Sequence, residues 1–161
     1  MSILPFQTQA NPTVNLWLPS ERGQSQNSSI VFSENGFNIV NQVIPNQGSP
    51  YFIFASEDLV APVAGVVNMV GTITINNNTN DSQGFRSIVS LFDGVAFRNN
   101  IATSRFTSVE GQGYRSLGNN FSYPVSAGQT YRCLFGITHI NAVNANTFSY
   151  PSFTCIFSPN P

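Results

Sequence analysis

Between Val67 and Asn76 the sequence alternates: Val67, Met69, Gly71, Ile73 and Ile75 fall on one parity, and Asn68, Thr72, Thr74 and Asn76 on the other. An extended chain sends successive side chains to opposite faces, so this run reads as a strand with one buried side. A helical turn would scatter the same apolar residues around its circumference. A second run, Phe85 to Phe92, alternates more weakly and closes on Asp93-Gly94, a dipeptide that tolerates positive φ in a tight turn. We expect the two runs to be partners in the middle of one sheet.

The remaining segments are short and separated by turn signals. Ser29 to Phe32 reads as a strand, and Asn35-Gly36 as a hairpin turn that returns the chain along Phe37 to Ile44, with Phe37, Ile39 and Val43 inward. Tyr51 to Ala55, Ile101 to Val109, Phe121 to Val125, Thr130 to Thr138 and Thr147 to Phe157 are further strands. In Thr130 to Thr138 the residues Tyr131, Cys133, Phe135 and Ile137 share one face. Gly111 to Asn120 has the composition of a loop. No stretch shows a capped 3.6-residue period, so the fold class is all-β: a sandwich, jelly roll or small barrel. The 161 residues suit one domain with a real core. We place it at 28–161, behind an extended N-terminal arm, 1–27, in which Pro5, Pro12 and Pro19 interrupt any regular structure.

Composition limits what such a domain can do. Only 8% of residues are charged, against about 25% in an ordinary soluble domain, and no Lys is present. The polar surface must therefore be Asn, Gln, Ser and Thr, which suits a subunit held in an assembly. With a net charge of -1 and six scattered Arg, the chain has no phosphate-neutralising patch, which argues against nucleic acid as a partner. The first residues lack a basic region and a long apolar run, so neither a signal peptide nor a membrane span is expected. Cys133 and Cys155 are too few for a disulfide scaffold; each lies among strand-like aromatics, as a buried free thiol or a cross-strand disulfide.

The candidate chemistry is sparse. His139, the single histidine, follows a strand and is expected to be structural, so no nucleophilic triad is built on it. One His and two separated Cys fall short of a zinc site. Glu57 and Asp58 are adjacent and would point to opposite faces of a strand. Asn76 to Asp81 offers oxygens but only one charge, short of a calcium loop. We expect no enzyme, no metal and no cofactor. Tyr114, Tyr123 and Tyr150 are candidates for ligand contact, as an aromatic platform for a glycan. Phe6, Leu16, Trp17 and Leu18 are candidates for attachment, because prolines hold their segment extended and its apolar side chains need a partner or the core of the domain itself. Asn27, Asn77, Asn80 and Asn120 begin Asn-x-Ser/Thr triplets, expected to be unused without export.

Four segments carry a resemblance. They are Val60-Ala61-Pro62-Val63-Ala64-Gly65-Val66, Val89-Ser90-Leu91-Phe92-Asp93-Gly94, Val125-Ser126-Ala127-Gly128-Gln129-Thr130-Tyr131 and Phe148-Ser149-Tyr150-Pro151-Ser152-Phe153. In order and spacing they resemble the globular head of the complement and tumour-necrosis-factor superfamily, which also occurs in viral and bacterial trimers. The resemblance implies a jelly-roll β-sandwich that forms a tight homotrimer. The chain has no Gly-X-Y stalk. A leaderless, nearly uncharged head of this kind resembles a virion component made in the host cytoplasm and displayed on the outer surface. The expected role is a bacteriophage capsid decoration (cement) protein, with the major capsid protein or another virion protein as partner. The alternative is the receptor-binding head of a fibre or spike.

Overall fold

The computed structural model describes residues 28–45, 50–77, 83–106, 114–139 and 146–160. They form ten strands and, among the described residues, no helix: β1 (Ser29–Asn35), β2 (Gln42–Val43), β3 (Tyr51–Ala55), β4 (Leu59–Val60), β5 (Gly65–Asn76), β6 (Gln83–Phe92), β7 (Phe97–Phe106), β8 (Tyr114–Val125), β9 (Thr130–His139) and β10 (Thr147–Pro159). Two antiparallel sheets pack as a sandwich. The first has the order β1-β10-β5-β8 with β2 also on β10; the second has the order β3-β9-β6-β7 with β4 also on β9. The arm at 1–27, with Phe6, Leu16, Trp17 and Leu18, lies outside the described residues.

The alternation from Val67 to Asn76 is realised in β5, whose odd positions are buried against the core while Val70 and Thr72 are exposed. Tyr131, Cys133, Phe135 and Ile137 of β9 face it from the other sheet, all buried. The expected pairing of the two central runs is overturned. β5 hydrogen-bonds to β10 and β8, whereas β6 pairs with β7 and β9. Both runs send apolar residues to the same core, so they oppose each other across it, each in the interior of its own sheet.

Two further expectations fail locally. Asn35-Gly36 does not make a hairpin: β1 and β2 pair with β10 and not with each other. Gly36 is pinned there, its N–H donating to Pro151 O at 2.8 Å, and the return segment leaves Phe37 75% exposed and Val43 exposed, with Ile39 packed against the core and Ile44 buried in it. Residues 114–120 are strand and not loop, being the first half of β8. The turn at Asp93-Gly94 is as expected, with Gly94 at φ 94° joining β6 to β7. Asp93 Oδ1 accepts from the N–H groups of Val95 and Ala96. Those two bonds, with Arg98 beside them, hold its carboxyl below the usual range.

Ring packing sets how the sheets lie on each other. Phe135 of β9 stacks on Phe153 of β10 at 5.5 Å between centroids, over Gly71 of β5. One inward position along each strand, Cys133 and Cys155 then meet across the sandwich; both are buried free thiols. Burial, and next the hydrogen bond with Cys133, push the Cys155 thiol up. The edge between β7 and β8 is closed by amides. Asn119 Nδ2 donates to Ser87 O at 3.0 Å and Asn100 O at 2.8 Å, while Asn100 Nδ2 donates to Asn119 Oδ1 at 2.7 Å. An inward-facing polar residue at a sheet seam is tolerated because both halves of its carboxamide are satisfied.

Candidate assembly surfaces

The register of the first sheet defines its outer face. Ile30, Ile156, Asn68 and Ser122 form one row across four strands; Ser33, Thr154, Val70 and Asn120 the next; Asn35, Ser152, Thr72 and Gly118 a third. Val66 extends it toward Ser158 and Pro124, and Thr74 and Asn76 toward Ser116 and Tyr114. No outward position here carries a charge. Glu34 and Arg115, the charged residues of these strands, pair with Phe153 and Ile75 and so fall on the inward parity. Hydroxyls and amides bond laterally: Ser33 Oγ lies 3.3 Å from Thr154 Oγ1, and Ser122 donates to Asn68. Among them stand Ile30, 42% exposed, and Val70, 48% exposed.

Four strands about 4.8 Å apart, the longest of them twelve or thirteen residues, give a face of roughly 19 by 40 Å, on the order of 750 Å². That is close to what one partner of a standard stable interface contributes. Covering it would remove no ion from water, so the large desolvation penalty of buried charge is not incurred.

The outer face of the second sheet is different. Phe52, Ala55, Ile88 and Leu134 form a buried cluster there, with Phe92 and Phe97 against it. Phe97 lies 6.4 Å from the Phe52 ring and 5.0 Å from the Phe92 ring. Beside them opens a groove of about 220 Å³ lined by Pro50, Phe52, Ile88, Phe97, Asn99 and Ile101. Its one polar wall, Asn99, accepts a hydrogen bond from Ser90. The sequence signal for this cluster is the near-continuous apolar run Ile88-Val89-Ser90-Leu91-Phe92, which buries both faces of β6.

The tyrosine candidates do not come together. Tyr114 is exposed at the start of β8, whereas Tyr123 lies nine residues on, about 30 Å along the strand. Tyr123 is half-buried against Phe121, with the Arg98 guanidinium 5.9 Å from its ring centroid. Tyr150 is exposed at an irregularity of β10 with φ 53°. His139 is half-buried at the end of β9 with its ring 5.5 Å from Phe85, and burial lowers its pKa. Glu57 and Asp58 are exposed between β3 and β4, Asp58 3.5 Å from Arg132. Of Asn76 to Asp81, residues 78–81 lie outside the described residues, and among the described residues no group of three or more His, Cys, Asp or Glu is placed to hold a metal. No protein-family model matches the chain, and no curated protein sequence is similar to it.

Proposed function

We propose that the protein is a non-enzymatic structural subunit that works as a homotrimer, and that it decorates and cements the outer shell of a virion. The observation that carries this reading is the charge-free outer face of the first sheet. A solvated face of this size normally carries ions; here neutral hydroxyls and amides surround Ile30, Ile156, Val66 and Val70, chemistry suited to burial against a copy of the chain. A head-to-tail contact between this face and a different surface of the next copy closes into a three-membered ring when the rotation is 120°. The strand orders support a jelly roll: the chain passes between the two sheets at most connections, as two interlocked Greek keys require. That agrees with the resemblance to complement and tumour-necrosis-factor heads.

The virion assignment extends the reading through that resemblance, and fold by itself does not fix function. Its test is direct. Purified virus particles from the source of the chain, labelled with antibody to it and reconstructed by electron microscopy, should show three-lobed protrusions on the shell. Particles without label, with the protein left in the soluble cell fraction, would overturn the assignment.

A further inference from the structure

We propose that the aromatic groove on the outer face of the second sheet is a docking site for the chain's own N-terminal segment, with Trp17 as the residue that fills it. This inference is independent of the trimer and virion readings. The groove combines Phe52 from β3, Ile88 from β6, and Phe97 and Ile101 from β7, with Pro50 and Asn99 at its rim. Ile101 is 50% exposed beside the buried Phe52 and Ile88 and the half-buried Phe97, so the apolar surface continues past the buried cluster into solvent. An opening of about 220 Å³ is smaller than the roughly 300–1,000 Å³ typical of small-molecule pockets. It suits one large side chain.

Sequence and topology name the occupant. Residues 1–27 precede the first described residue, and their densest apolar stretch is Val14-Asn15-Leu16-Trp17-Leu18, flanked by Pro12 and Pro19. Ser28 is tied by its hydroxyl to Ser158 at 2.7 Å, at the start of edge strand β1. β1 and β3 lie along the same side of the sandwich, opposite the amide-closed β7/β8 side. From Ser28 the path to the groove runs past the β3 edge. Sheet spacing, strand spacing and the offset along the strands make it roughly 25–30 Å. The eleven residue-to-residue steps from Trp17 to Ser28 span up to about 36 Å when extended, so Trp17 reaches the groove of its own chain. The prolines on either side keep the segment from closing into a helix, and an extended peptide lays alternate side chains onto a sheet.

The occupant supplies its own probe, because Trp17 is the single tryptophan. The full-length protein is measured by fluorescence with excitation selective for tryptophan. Docking predicts an emission maximum blue-shifted from free tryptophan and quenching by acrylamide several-fold weaker than for the unfolded chain. Ile101→Asp, at a half-exposed position that leaves the core intact, should shift emission to the red and raise quenching toward the unfolded value. Val40→Asp, 49% exposed between β1 and β2 on the first sheet, where the neighbouring Ile39 O accepts from Tyr150 N–H, should change neither. Far-UV circular dichroism checks that each variant is folded, and Asn99→Arg provides a second obstruction should Ile101→Asp fail to fold. Water-like emission in the unaltered protein would overturn the proposal. So would shielded emission that neither folded groove variant disturbs, since Trp17 would then be buried elsewhere.

Discussion

Gly71→Ala is expected to destabilise the protein although it replaces a strand glycine by a better strand residue. A Cβ at Gly71 would stand 2.3 Å from Cε1 and 2.4 Å from Cδ1 of Phe135, far inside the roughly 3.5–4.0 Å of an ordinary carbon contact. The ring cannot retreat freely, since it is fully buried and stacked on Phe153. β9 is held from the other side as well: a Cβ at the neighbouring Gly136 would lie 2.7 Å from Tyr51 O. Overpacking of this kind costs about 1–3 kcal/mol, and losing a glycine from a strand returns about 0.5–1 kcal/mol. The net loss expected is about 1–2 kcal/mol, a fall in Tm of roughly 2–8 °C for a domain of this size. Urea unfolding followed by far-UV circular dichroism, at one fixed protein concentration, measures it. Phe135→Leu in the same chain should recover part of the loss, with a coupling above about 0.5 kcal/mol in the double-mutant cycle. A Gly71→Ala protein as stable as the original, or two losses that simply add, would refute the argument.

Three further outcomes follow from the packing. Asn119→Ala should cost about 1–3 kcal/mol by stranding the groups it bonds at the β7/β8 seam, and Asn119→Asp should also destabilise at neutral pH, where a carboxylate would face the carbonyls of Ser87 and Asn100; urea unfolding reads both. Burial lowers the pKa of His139 in the folded state, so the unfolded chain binds the extra proton. Stability should therefore fall as pH drops through about 6.5 toward the folded value, and His139→Gln should flatten that slope in thermal melts at pH 5 to 7.5. Cys133 and Cys155, buried with the Cys155 thiol pushed up, should resist a thiol-selective disulfide reagent in the native protein and react promptly in denaturant.

Strands with one buried face were legible in the sequence. β5 and β10 carry their alternation openly because Asn, Ser and Thr dominate their other faces, and β9 does so because Thr130, Arg132, Gly136 and Thr138 separate its core residues, although Leu134 is buried in the outer cluster. β6 was blurred because its outer face is also covered, by Phe52, Phe92 and Phe97, so apolar residues occupy both parities. Which strands share a sheet was not legible: local alternation gives each strand a buried side, but the partner of β5 is fixed by packing against β10, over eighty residues away in the chain for much of its length. The start of β8 was hidden by its composition. Gly118-Asn119-Asn120 reads as a turn, yet Asn119 is bonded across the seam and Asn120 lies on the outward face. The candidate surface was half visible. Low charge and the absence of Lys pointed to assembly, but only the register collects Ile30, Val66, Val70 and Ile156 on one charge-free face.

That face carries the account, and native mass measures its consequence. Sedimentation or light scattering at micromolar concentration should give three chains of 17.5 kDa, about 52 kDa together, for the unaltered protein. Val70→Arg, which places a charge at a half-exposed position in the middle of the face, should give a folded species of one chain, because closing the ring would bury an unpaired ion. An unaltered protein that stays at one chain, or a Val70→Arg trimer indistinguishable from it, would contradict assembly through this face.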